Sequence, residues 1–355
     1  MTDRSMTLGL VVNDIDTERA VYSTTQLALA ALRRGHRASY IELGDFCHSP
    51  AGEARVHVRR VPEGSYRNGA ALLAALREAR PEVAGHDEPE VLFLRYDPAG
   101  EIQHRPWAQF AGVQFAQLFS RQGTLVLNDP FTLSSAVSKL YFEGFPRWMR
   151  PRTLISRDRA EVKTFIRDLG GCAVLKPLQG SGGCNVFLVE PGSRNVNQIM
   201  DVLSRDGYIV AQEYLPRAAT DTRVLMLDGE PLSCQGTLCA MHRIGAADDL
   251  RSNLHAGGCV EPCQLTDGEW AIVEAVRPKL VADGLFLVGL DIADGKLMEV
   301  NAFSPGGLGC GELLHGVDFT GTVIAAIEDK LWAHHRTTEV VAAGARARPR
   351  QQAGM

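Results

Sequence analysis

The chain has no surplus of basic residues: 37 Lys and Arg stand against 42 Asp and Glu, for a formal net charge of −5 at pH 7. A nucleic-acid surface would need a basic face, and this balance supplies none, so no nucleic-acid partner is expected. There is no run of about 18 uncharged apolar residues, the length a membrane-spanning helix requires. A charged-then-apolar leader is also missing from the first residues, which sets the expectation of a cytoplasmic protein with no membrane partner. Eight cysteines are scattered singly, without a C-x-x-C pair. Cys259 and Cys263 are nearest in sequence and make a weak metal pair; reduced thiols fit this scatter better than a disulfide frame.

What is present suits an α/β protein. The 355 residues, 45% hydrophobic and 22% charged, exceed one ordinary core, and roughly two or three domains are expected. The stretch Ala173 to Glu190 organises the rest: an apolar strand delivers Lys176 into the turn Gly180, Ser181, Gly182, Gly183, and a second strand leaves it. A P-loop would run from strand into helix instead. Such a turn brings bare backbone N–H groups to an anion while Lys176 adds a point charge, although an ordinary glycine-rich hairpin has the same outline.

In chain order, a strand over 8–12, a helix over 24–34 and a strand over 38–43 make a βαβ unit whose functional edge lies at the carboxyl ends of its strands. A polar segment spans about 48–65, and helices are expected over 69–80 and 106–119. The strand at 91–94 ends in Arg95, Tyr96 and Asp97, which read equally as substrate-facing charges or as a salt-bridged turn. A further strand spans 124–127 and a capped helix 132–142 carries Lys139. Pro146 and Pro151 mark a joint, and an amphipathic helix over 158–169 leads into the flap. A helix over 195–203 and a strand over 208–214 follow it. Strands over 223–227 and 231–238 flank the turn Asp228-Gly229. From His242 to Gly258 periodicity is lost, with Arg243, Arg251 and His255 spread through it, which reads as an active-site lid. A helix over 270–283 precedes strands over 286–292 and 297–303, and the chain after Trp332 reads as frayed.

Those two last strands hold Asp291, Glu299 and Asn301 among apolar neighbours, and Glu299 and Asn301 share a face by the two-residue period of a strand. Hard oxygens beside a phosphate loop suit Mg²⁺. A tight Asp294-Gly295 hairpin would pair Asp291 with Met298 and split the set, so a three-residue or bulged connection is expected.

Together the segments Asn128-Asp-Pro, Ser138-Lys-Leu, Phe145-Pro, Lys176-Pro-Leu, Gln212-Glu-Tyr-Leu-Pro, Asp221-Thr-Arg, Arg251-Ser-Asn, Gly257-Gly, Gly289-Leu-Asp and Glu299-Val-Asn-Ala-Phe-Ser-Pro resemble, in this order, the bacterial glutathione synthetases of the ATP-grasp superfamily. The resemblance covers roughly residues 6–330. It implies an α/β (α+β) ATP-grasp fold with an N-terminal parallel-sheet domain over 1–130, a central flap-bearing subdomain over 131–206, a lid- and metal-bearing subdomain over 207–335 and a flexible tail over 336–355. It further implies ATP with Mg²⁺ or Mn²⁺ as cofactors, amino-acid or short-peptide substrates, and a homo-oligomer. Lys139 and Lys176 become the phosphate and adenine-side lysines, with Gly180, Ser181, Gly182 and Gly183 over the phosphates. Gln212, Glu213, Tyr214 and Leu215 become the adenine edge, and Asp221 the ribose contact. Asp291, Glu299 and Asn301 form the metal set. Arg223, Arg251 and Ser304 fall in the catalytic and acceptor region, with Arg223 facing the developing oxyanion.

The implied activity is an ATP-dependent carboxylate–amine ligation through an acyl phosphate, most simply of γ-glutamylcysteine to glycine. A peptide ligase of specialised metabolism with another donor or amine, and a nucleotide-binding protein without turnover, are the alternatives. Tyr22 and Ser138 stand where the family shows acids, Tyr96 where it shows a basic residue, and Gly306 to Cys310 replaces a threonine-containing segment. These departures all touch the substrate half rather than the nucleotide half.

Overall fold

The computed structural model describes residues 5–205, 207–216, 220–245 and 259–347. Its first sheet contains β1 (Thr7–Val12), β2 (Arg37–Glu42), β3 (Phe46–His48), β4 (Ala54–Arg60), β5 (Glu82–Gly85), β6 (Val91–Leu94) and β7 (Leu125–Leu127). They lie in the order β3-β4-β2-β1-β6-β7, with β5 on β4. The run β2-β1-β6-β7 is parallel. Every residue of β1 is buried, as a central parallel strand covered on both faces must be. Helices α1 (Ser23–Arg33), α2 (Gly69–Glu78) and α3 (Ala108–Arg121) provide the cover.

The expected polar segment over 48–65 contains β4, in which Ala54, Val56 and Val58 are buried and Arg55 and His57 exposed. Its alternation is carried by small and branched residues set among Arg and His, so its strand signal is weak. The expected helix over 132–142 is likewise two pieces, α4 (Pro130–Ala136) and a 3₁₀ turn at Lys139–Gly144. Ser138 breaks it by taking extended backbone and accepting a hydrogen bond from Leu140 N at 3.2 Å through its hydroxyl.

The second sheet, β8 (Thr153–Ser156), β9 (Ala173–Pro177), β10 (Phe187–Val189) and β11 (Ile209–Glu213), is antiparallel throughout in the order β10-β9-β11-β8. Helices α5 (Arg159–Asp168) and α6 (Val196–Leu203) cover it through a small core built on Val162, Ile166, Ile199 and Met200.

The third sheet is built from β12 (Thr220–Leu227), β13 (Glu230–Pro231), β16 (Ala240–Ile244), β17 (Cys259–Pro262), β18 (Leu287–Ala293) and β19 (Lys296–Asn301), in the order β17-β16-β12-β18-β19 with β13 on β12. The expected strand over 231–238 is interrupted: β14 (Ser233–Cys234) and β15 (Thr237–Leu238) pair around Gln235 and Gly236, which both take positive φ. Helix α7 (Asp267–Ala282) begins in a capping box between Thr266 and Glu269. Helices α8 (Leu308–His315) and α9 (Phe319–Ala347) follow. The chain beyond Trp332, expected to fray, stays helical to Ala347; its Ala-rich composition favours helix.

Two clips join these layers. Asn128, wholly buried at the end of β7, accepts from Phe286 N at 2.7 Å and Leu287 N at 2.9 Å and donates to the carbonyls of Leu287 and Ala302. Glu328 of α9 accepts from Arg34 at 2.7 Å and meets His36 at 2.6 Å.

Candidate active site

The flap is a hairpin, as the strand-turn-strand pattern requires: β9 pairs with β10 with Leu175 opposite Phe187. Gly182 and Gly183 take φ of 61° and 72°, the left-handed region that glycine occupies without steric cost. The turn does not hang free. Ser181 donates its hydroxyl to the Asp97 carboxylate, Gln109 donates to Gln179 at 2.7 Å, and the Lys139 ammonium donates to the Gly180 carbonyl at 2.8 Å. Asp97 and Gln109 belong to the first layer, so the flap tip is tied across the cleft it covers.

Beneath it, Lys176 donates to Gln212 Oε1 at 2.9 Å, and Gln212 Nε2 donates to Thr153 Oγ1 at 3.0 Å, which fixes the amide on β11. Burial pushes the Lys176 ammonium down to about 8; the charge of Lys139 pushes the same way, and Glu299 opposes both. Lys139 is also lowered by burial, against the attraction of Glu299 and Asp97. Glu213 turns its carboxylate to Arg152 N at 3.1 Å. Lys139, Lys176, Gly180, Ser181, Gly183, Gln212, Glu213, Tyr214, Leu215, Asp221, Asp291 and Glu299 all line one open cleft.

The β18–β19 turn is a two-residue one at Asp294 and Gly295, with φ of 49° and 69°, and the expected bulge follows it. The register shifts between Asp291 and Ile292, so Asp291 pairs with Glu299 and Gly289 with Asn301. The three expected metal residues are thereby brought together. Asp291, however, is engaged: Arg223 donates to it at 2.5 and 3.0 Å, Arg243 lies at 2.8 Å, and Asn301 donates at 3.1 Å. Three of those contacts fall on Oδ2 and one on Oδ1, and its pKa stays low despite burial because of the two guanidiniums. Glu299 faces both lysines and makes no hydrogen bond among the described residues. No three His, Cys, Asp or Glu converge as a metal cage among the described residues.

Arg223 reaches further, donating to the Gly306 carbonyl at 3.0 Å, while Ser304 is exposed at the start of that loop. Arg243, expected on a mobile lid, lies buried in β16 and forks onto Asp221 at 2.7 and 2.5 Å. The lid reading fails at its start, because 242–244 are strand; residues 246–258, with Arg251, His255 and Gly257, lie outside the described residues. The missed signal was the nearly unbroken apolar run from Leu238 to Ile244, interrupted only by His242 and Arg243. Arg95 and Asp97 form no salt-bridged turn: Asp97 bonds Ala99 N and Ser181, while Arg95 donates to the Pro305 carbonyl at 3.0 Å. Tyr96 is core, with its hydroxyl on Val113 N at 3.1 Å and its ring edge-on to Phe303.

A glycine flap and paired lysines facing an acidic hairpin across two antiparallel sheets define an ATP-grasp ligase, an ATP-dependent enzyme that forms C–N bonds. Residues 6–133 match the prokaryotic glutathione synthetase N-terminal domain and residues 138–312 its ATP-grasp domain. The glutathione synthetase of Escherichia coli (strain K12) is 33% identical over 328 residues, covering 91% of this chain and 98% of that protein. That of Vibrio cholerae is 32% identical over 335 residues, covering 92% and 98%. The chain belongs to the prokaryotic glutathione synthetase family. Among solved structures, D-cycloserine synthetase DcsG superposes with a TM-score of 0.59 at 16% identity, covering 91% of this chain and 99% of that one. The ATP-grasp ligase PsnB complexed with minimal precursor gives 0.56 at 20%, covering 92% and 98%; both likenesses show the shared fold. No helix among the described residues is long and apolar enough to cross a membrane.

Proposed function

We propose that this ligase is a glutathione synthetase, joining the cysteine carboxylate of γ-glutamylcysteine to the amine of glycine with ATP cleaved to ADP and phosphate. The observation that carries it is the cleft in which Lys139, Lys176, the flap and Glu299 converge, in a chain matching this family along most of its length.

A carboxylate is a poor electrophile. Transfer of the terminal phosphoryl group makes it a mixed anhydride, and the loose transition state asks for positioning and positive charge. In this reading Lys139 and Lys176 bring charge to the phosphates, the flap N–H groups close over them, and Gln212 to Leu215 hold the adenine edge with Asp221 near the ribose. Arg243, in the cleft wall between Asp221 and Asp291, adds a third cation. Glu299 and Asn301 offer hard oxygens beside the flap and fit Mg²⁺ or Mn²⁺, which usually takes one or two carboxylates and the substrate phosphates; bound there it would neutralise developing phosphate charge. Asp291 is better placed to hold Arg223 and Arg243 in position than to bind metal. Arg223, anchored on Asp291 and the Gly306 carbonyl, stands toward the acyl site, where it stabilises the oxyanion formed when the amine attacks. The docked flap keeps water from the anhydride.

The test is a product screen by mass spectrometry over dipeptide and amino-acid mixtures with MgATP. Glutathione from γ-glutamylcysteine and glycine supports the assignment, and a different product from another pair replaces it.

A further inference from the structure

Lys139 is delivered to the cleft by the 3₁₀ turn Lys139–Gly144, and such a turn is a weak support, since its hydrogen bonds are poorly aligned and its runs stay short. The next side chain, Leu140, is 53% exposed and gives little anchorage. The turn is fastened one residue further on, from another part of the fold. In the last turn of α7 the Lys279 ammonium lies 4.7 Å from the centre of the Tyr141 ring and 5.7 Å from that of Phe145, a cation held against two aromatic faces. The stem of Lys279 runs against Gly144, where an added Cβ would stand 2.9 Å from Lys279 Cε. Asp283 completes the clamp: its Oδ2 accepts from the Lys279 ammonium at 2.8 Å and from the Tyr141 hydroxyl at 2.7 Å.

An exposed Lys and Asp four residues apart contribute little on a helix surface. This pair is half-buried and closes on the residues next to a cleft lysine, although neither Lys279 nor Asp283 lines the cleft itself. Behind the clamp, Val276 and Leu280 of α7 share one buried cluster with Leu290 and Leu297 of the third sheet and with Phe145 and Met149. Arg150 braces the other flank, donating to the Phe145 carbonyl at 2.8 Å with its guanidinium 5.7 Å from the centre of the Phe142 ring. The turn that carries Lys139 is therefore seated on the layer that carries Glu299, while Lys176 rides on the second sheet. The contacts of Lys139 with the Leu178 and Gly180 carbonyls, at 3.0 and 2.8 Å, then bridge the two.

We infer that Lys279 is a positioning residue for the nucleotide: with Asp283 it pins Tyr141 and Phe145, and so fixes where the Lys139 ammonium meets the phosphates. This rests on the nucleotide half of the reading above, and on neither the donor nor the amine. Lys279 touches no reacting atom. Its effect passes through Lys139, because a displaced phosphate lysine keeps its charge and loses its aim.

The experiment is calorimetric titration of the full chain with MgADP, and with adenosine followed by its displacement of bound MgADP. The variants are Lys279→Met, which keeps the stem and deletes the charge, Tyr141→Phe, which deletes the hydroxyl bond to Asp283, Lys139→Met, and the double variant Lys139→Met with Lys279→Met. Lys279→Met should bind MgADP about tenfold more weakly than the wild type, the scale of one charged contact. Tyr141→Phe should weaken it about threefold, and adenosine, which has no phosphate, should stay within about twofold in both. In the Lys139→Met background, adding Lys279→Met should change MgADP affinity by less than about twofold, because the lysine it aims is gone. A merely structural Lys279 would weaken ADP and adenosine alike and would act equally with and without Lys139; either result overturns the inference, as does wild-type MgADP affinity in Lys279→Met. If Lys279→Met does not fold, Tyr141→Phe alone and over Lys139→Met decides by the same comparison. Weakened binding in Lys139→Met with none in Lys279→Met would sink this inference and leave the role of Lys139 standing, whereas wild-type affinity in Lys139→Met would overturn both.

Discussion

Arg243 and Asp221 form a buried bidentate pair across neighbouring strands, with N···O distances of 2.7 and 2.5 Å, and the same guanidinium reaches Asp291 at 2.8 Å. Through Asp291 the chain continues to Arg223, so two arginines and two carboxylates lock the floor of the cleft. Arg243→Ala would leave two carboxylates buried with one cation between them. The expected loss is about 3–5 kcal/mol of unfolding free energy, read from urea midpoints at unchanged slope. An effect below about 1 kcal/mol would show that the network is not structural.

Arg243 also bears on proteolysis. It sits inside a strand paired on both sides, with β12 and β17, so brief trypsin treatment of the native protein should leave the Arg243-Ile244 bond intact. A fragment ending at Arg243 under native conditions would contradict its place in the sheet.

Much of this site could be read from residue order. Lys176 followed by the glycine turn and a second apolar strand specified the flap, because glycine placement and two-residue alternation are local signals. The bulge beside Asp291 was legible because only one register puts Asp291 opposite Glu299. Arg243 was not, since its value comes from Asp221, 22 residues earlier, and Asp291 across the sheet. Nor was the state of Arg95, whose neighbours Thr24 and Pro305 are 71 and 210 residues away. Ser138 divided a helix that hydropathy alone would continue, because its hydroxyl competes for the backbone.

Glu299→Gln removes a cleft carboxylate that faces both lysines and makes no hydrogen bond among the described residues. Turnover at saturating Mg²⁺ should fall by about 100-fold or more, with stability changed by less than about 1 kcal/mol. Activity by ADP release and melting by calorimetry check it together; wild-type turnover refutes the role.

Lys176 gives a pH signature. With its pKa depressed from 10.5 to about 8, free Lys176 loses its proton as pH rises through 8, whereas the nucleotide binds the charged form. ADP affinity should be flat below about pH 8 and fall above it, by up to about tenfold per pH unit. In the ligand-free protein the unfolded chain holds more protons than the native one between about 8 and 10.5, so this group makes stability rise with pH across that window. Lys176→Arg should remove the affinity step, and a wild-type profile level to pH 9.5 would contradict it.

Most directly, the acyl-phosphate chemistry is tested by oxygen transfer. γ-Glutamylcysteine labelled with ¹⁸O in its cysteine carboxylate is incubated with unlabelled MgATP and glycine, and the released phosphate is analysed by mass spectrometry. If the carboxylate is phosphorylated and the amine then expels phosphate, each phosphate carries one donor oxygen and the peptide keeps the other. Glutathione formed with unlabelled phosphate would contradict activation through the carboxylate and, with it, the reading of the cleft.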